Sequence, residues 1–327
     1  MPIFKQSILV QAVVILLAMA ALWAGAIAHP QPMPMPQGSD VLYGVLYGWL
    51  GGMPGLAVAV AMLVVLASGV LLNVLLVDVG LSAQNSMLPT LLYVICMSAP
   101  ATTLTPMTMV SLLMVVCMRQ LAIKGTLLTI PPERACMATA LIGICTMFYL
   151  PAVLLMLSYS LVVINYRLYS VRDWAIMLLG FLAPYILLAI VLMFTDGLPG
   201  WWQGVADAVA SVHPYHVAMP LLQVMGGALM VAAIMAGVVA VWRNAGESTV
   251  QWQKNAVTLL SALLGGLAIW ATSRLFPVDM QLFALPFTFG VGCLLMPRRS
   301  STLGSRKRRE WIYTLLLFII FFAAIIC

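Results

Sequence analysis

Three polar stretches of this chain hold the side chains that could do chemistry. The first carries His29, which opens the proline-rich run His29–Pro36, and Asp40 after it, and the apolar segment Val41–Leu50 follows directly. The second carries Asp196, Asp207, His213 and His216, and the third Arg274 and Asp279. A carboxylate such as Asp40 can take up a proton or cap the helix that follows it. Two imidazoles with Asp207 or Asp196 nearby are metal-donor types, but Pro214 spoils the spacing of a helical ligand pair, so no metal is assigned. The alternative for His213 to His216 is the start of an interfacial helix beside Trp201 and Trp202. Arg274 either pairs with Asp279 across a short loop or faces an anionic substrate. Tyr43 and Tyr47 stand one turn apart on segment 41–50, where Tyr43 is a candidate substrate contact beside Asp40.

The elements that position these groups follow from composition. Residues are 64% apolar and only 7% charged, which a bilayer requires and a water-soluble fold of this length could not keep dispersed. Segments able to cross or nearly cross a membrane lie at about 8–28, 53–77, 87–104, 107–122, 175–195, 216–242, 256–273, 280–296 and 311–326. Residues 136–165 are too long for one helix and too short for two full spans, with Pro151 near the middle. If they form two short helices turning near Pro151, fourteen of the fifteen Lys and Arg residues fall on one side, and only Arg274 lies on the other. One span would divide the basic loops between both faces, against the positive-inside bias. The expectation is therefore an all-α polytopic bundle of about eleven apolar segments forming one domain over residues 1–327, with a cytoplasmic N-terminus and an exported C-terminus.

The tryptophans agree with this threading, because indole favours the headgroup level. Trp23, Trp49, Trp201, Trp202 and Trp270 fall at outer ends, and Trp174, Trp242, Trp252 and Trp311 at inner ends. Thr105-Pro106 alone joins two segments, so they form a tight hairpin whose apex lies at or below the outer surface. The six cysteines sit in apolar segments with no CxxC spacing, which supports neither a disulfide framework nor a zinc site. The apolar run from Ile8 to Ala28 exceeds a signal-peptide core and reads as a retained helix. The basic residues sit in short loops, suited to anionic lipid and not to nucleic acid. No cofactor pattern is present.

No Asp, Glu, Lys, Arg or His lies in the middle of an expected span, which weakens a proton-coupled transport reading. Asn73, Asn165 and Gln223 remain as neutral groups that could line a transport path. An acidic residue in the first exported loop, followed by an interfacial helix and many spans, resembles the membrane glycosyltransferases that take sugars from polyprenyl-phosphate carriers. The resemblance covers roughly the first seventy residues. It implies Asp40 as the catalytic base, with Arg274 or His216 holding the carrier phosphate, a polyprenyl-linked glycan as partner, and a bacterial inner-membrane location. The layout, including Asn85–Tyr93, is also similar to uncharacterised bacterial multi-span inner-membrane proteins. A transporter or flippase, and a non-catalytic membrane subunit bound to other membrane proteins, are the alternative readings.

Overall fold

A computed structural model describes residues 8–80, 86–98, 103–122, 129–166, 168, 170–210, 234–239, 241–242, 249–272 and 278–295. Among them the regular structure is all helical. Helices α1 (Ile8–Leu22) and α2 (Ala24–Ala28) are followed by α3 (Val41–Leu50), α4 (Pro54–Asp78), α5 (Leu88–Ser98), α6 (Pro106–Leu121) and α7 (Pro132–Phe148). A 3-10 turn, Leu150–Leu154, leads into α8 (Leu155–Tyr166), α9 (Val171–Phe194) and α10 (Leu198–Ala210). The last described elements are α11 (Val250–Thr272), a second 3-10 turn at Val278–Phe283, and α12 (Ala284–Leu295). By length and composition, α4, α9 and residues 250–271 of α11 could each cross a bilayer, and shorter apolar helices accompany them. Helix α9 leaves Leu178, Leu179, Ile186, Leu187 and Val191 exposed, the outward apolar surface that lipid would cover.

Residues 136–165 form two helices with a reversal between them. Ile142 of α7 and Tyr159 of α8 line the same cleft, together with Cys117, Cys145 and Ser158. In an unbroken helix those two positions would be about 25 Å apart. Pro151 has no N–H to continue a helical ladder, and Tyr149 before the turn is extended (φ −156°, ψ 110°). Helix α5 is described as far as Ser98, and Thr103 to Thr105, near the expected end at 104, are not helical. Thr105 is extended and caps α6, with the Thr108 N–H donating to its hydroxyl at 3.3 Å and Pro106 at the first helical position.

Small residues set the helix crossings, as expected where apolar attraction between helices is weak. A Cβ on Gly180 of α9 would strike the Cys136 carbonyl of α7, and one on Gly143 would lie 2.7 Å from the Phe181 carbonyl oxygen. Helices α7 and α9 therefore run in parallel in close contact. Gly265 of α11 sits against α8 and donates its N–H to Ser158 Oγ at 3.1 Å. Asn165 Nδ2 donates to the Lys254 carbonyl at 2.9 Å, which holds the end of α8 to the start of α11.

These contacts give the bundle two chemically distinct ends. Arg119 at the end of α6, Arg134 at the start of α7, Arg172 at the start of α9 and Lys254 at the start of α11 lie at one end. The Asp40 loop, the start of α6 and the Leu150–Leu154 turn lie at the other. Two tryptophans are enclosed by the protein itself. Trp23 is enclosed by protein and donates to Ser98 Oγ at 2.7 Å, and Trp252 is also buried, whereas Trp49, Trp174, Trp202, Trp242 and Trp270 are exposed.

Candidate functional site

Asp40 takes neither of the ordinary roles open to a loop acid. It precedes α3, yet its side chain makes no capping bond to that helix. It is also not solvated, being only 3% exposed. Its Oδ1 accepts from the Ser39 hydroxyl at 3.0 Å and from the Leu150 backbone N–H at 3.4 Å, across 110 residues of sequence. The Leu150 donor is free because it opens the 3-10 turn, where the first N–H groups have no partner within the element. Asp40 thus satisfies from a distance a donor that the chain reversal exposes.

The electrostatics oppose each other. Burial raises the Asp40 carboxyl from 3.8 to about 6, while the Ser39 hydroxyl and the N–H groups of Leu150 and Gln37 hold it lower than burial alone would. A carboxyl that titrates near 6 is a stronger base than an ordinary aspartate and is still mostly ionised at neutral pH. Tyr43, one turn into α3, is buried, and its hydroxyl is shared between the carbonyls of Pro34 at 3.0 Å and Leu104 at 3.2 Å. Burial, with the charges of Tyr47 and Asp40 nearby, pushes its phenol upward. It ties the proline-rich loop to the α5–α6 turn.

Beyond Leu104 the polar contacts continue inward. The hydroxyls of Thr105 and Thr108 lie 2.9 Å apart and donate to Gln281 Oε1 at 3.4 and 3.3 Å. Gln281 comes from the Val278–Phe283 turn and is fully buried. Its Nε2 has no hydrogen-bond partner among the described residues, and neither has the hydroxyl of Thr103, two residues before Thr105. On the other side of Asp40, Gly38 packs backbone to backbone on Gly204 of α10: a Cβ on Gly204 would lie 2.6 Å from the Gly38 carbonyl carbon. Aromatic rings run from there along Trp201, Tyr185 and Phe181, with centroid spacings of 6.3 and 5.4 Å. Tyr185 is bonded to Thr146 of α7 at 2.5 Å.

Comparisons with protein-family models, with curated proteins and with solved structures yield no match. The site must therefore be read from its own residues.

Of the residues singled out in the sequence, the structure brings together Asp40 and Tyr43. Asp207 is exposed on α10, one turn after the Gly204 contact. Arg274, His213 and His216 lie outside the described residues, as does the basic run from Arg298 to Arg309. Among the described residues, no three His, Cys, Asp or Glu side chains gather as metal ligands would. Sequence reasoning missed Ser39, Leu150, Thr103, Thr108 and Gln281, and read Thr105 only as part of a tight connection. Only Gln281 left a signal, as an amide at the start of an apolar segment.

Proposed function

We propose that this chain is a multi-span protein of a bacterial cytoplasmic membrane that acts at the exported face on a polyprenyl-linked glycan, with Asp40 as general base. In this reading about eleven apolar segments thread the bilayer, the N-terminus is cytoplasmic, and the end bearing Arg119, Arg134, Arg172 and Lys254 faces the cytoplasm. The Asp40 end then faces outward. Glycosyl transfer from a lipid phosphate needs a base to take the proton of the acceptor hydroxyl and a cation for the departing phosphate. Asp40 fills the first role, and Arg274 or His216 the second. The observation that supports the reading is the Asp40 carboxylate: buried, raised to about 6, and held by its neighbour Ser39 and by the Leu150 N–H of the distant chain reversal.

The test is a strain carrying Asp40→Asn, with lipid-linked glycans measured by mass spectrometry of membrane extracts. The expected result is accumulation of an unconsumed polyprenyl-linked glycan, with the protein present at normal abundance. Unchanged lipid pools and unchanged surface glycans would remove Asp40 from catalysis and the enzyme reading with it.

A further inference from the structure

Sulfur gathers at one place inside the bundle. Met114, Cys117 and Met118 are spaced by three and four residues on α6 and so share a face. All three line a cavity between α6, α7 and α8, which Cys145 of α7 and Ser158 of α8 line from the facing helices. Every residue of its wall is buried. The cavity measures about 10 Å³, room for a single water-sized guest. The Cys117 thiol lies on the α7 side of α6, where Sγ donates to the Ala138 carbonyl at 3.5 Å, and Cys145 is near enough to feel the charge of Cys117.

The wall decides which guest fits. A buried water needs roughly two to four polar partners. Thiols and thioethers are weak hydrogen-bonding groups, and Leu121, Ile142 and Leu155 supply only hydrocarbon. Of the lining residues only Ser158 and Tyr159 carry hydroxyls, and Ser158 Oγ already accepts from the Gly265 N–H at 3.1 Å. A soft cation is suited where water is not, because thiolate and thioether sulfur favour Cu(I) over harder metals. Charge points the same way. When Cu(I) binds and one thiol gives its proton to solvent, an S–Cu bond replaces S–H, one positive charge replaces another, and the cavity stays neutral. A divalent ion would leave net charge in this apolar space unless both thiols ionised, and thioether sulfur suits it poorly.

We infer that Met114, Cys117, Met118 and Cys145 form a buried site for a soft monovalent cation, Cu(I), between α6 and α7. The site shares no residue with the Asp40 cluster and does not depend on the glycan reading. The competing account is dry packing, in which the four sulfurs are ordinary core groups.

The full-length protein in lipid nanodiscs, reduced and kept free of oxygen, is titrated with Cu(I) held by the chelator bicinchoninate, and transfer is followed by loss of the complex's colour. The expected result is a single Cu(I) per chain, the ultraviolet absorption of a copper–thiolate bond, and an X-ray absorption spectrum with sulfur alone around the metal. Cys117→Ala and Cys145→Ala should each weaken binding at least about tenfold. Met114→Leu combined with Met118→Leu conserves core volume, and should weaken binding about tenfold with little loss of thermal stability. That pair decides the matter even where a cysteine variant fails to fold. Cys96→Ala, on α5 and outside the cavity wall, should bind as the wild type does. Failure to draw copper from the chelator, wild-type affinity in the paired methionine variant, loss of binding in Cys96→Ala, or nitrogen or oxygen bound to the metal overturns the site and leaves dry packing.

Discussion

Replacing Asp40 by Asn should make the protein more stable at neutral pH and not in acid. A carboxyl moved from 3.8 in the unfolded chain to about 6 in the fold corresponds to about 3 kcal/mol between its two protonation states. The sign follows from linkage. Between those values the folded protein holds more protons than the unfolded chain, so stability falls as pH rises through the window and levels off above about 6. Asn has nearly the same shape, keeps an oxygen for the Leu150 N–H and the Ser39 hydroxyl, and carries no charge to bury. The gain over wild type should therefore be near zero below pH 4, grow between pH 4 and 6, and reach up to about 3 kcal/mol at pH 7.5. Unfolding in mixed detergent micelles, followed by circular dichroism over that pH range, measures the difference directly. A difference that does not vary with pH, or a wild type more stable than the variant at pH 7.5, would refute the claim that Asp40 is held as a costly buried base.

Two further changes test how the site is held. Gly204→Ala places a methyl 2.6 Å from the Gly38 carbonyl carbon, so the loop before Asp40 must shift. We expect a loss of about 1–3 kcal/mol by thermal unfolding and an Asp40 carboxyl closer to its ordinary value, read by NMR titration of a labelled aspartate. Trp23→Phe removes the 2.7 Å bond to Ser98 Oγ and part of a buried ring, and should cost about 1–3 kcal/mol in the same unfolding assay. Near-wild-type stability would refute a structural role for the Trp23–Ser98 bond.

The long-wavelength features of the fold were legible in the sequence, because apolar length and turn residues act locally. Asp40 followed by a helix at Val41–Leu50, and a break close to Pro151, are both present as read. The approach to α6 was less legible, since hydropathy continues to Leu104 while Thr103 to Thr105 are not helical and Thr105 forms an extended cap. The partner of Trp23 was not legible either: amphipathic rings suit headgroups, and a buried Ser98 hydroxyl suits the indole N–H equally well. The site itself was half visible. A lone acid in a loop draws attention, whereas Leu150 contributes only a backbone N–H, and no residue type announces that. Gln281 matters because its amide is left without a partner, which depends on packing and not on spacing.

The Asp40–Leu150 contact also bears on how the protein is made. Residue 40 leaves the ribosome well before residue 150 has been synthesised. Until α7 and the reversal after it are in place, Asp40 is a hydrated loop acid of ordinary strength, with neither its burial nor its distant donor. The raised basicity of this carboxylate is thus a product of assembly, and a partly folded chain carries the residue without it.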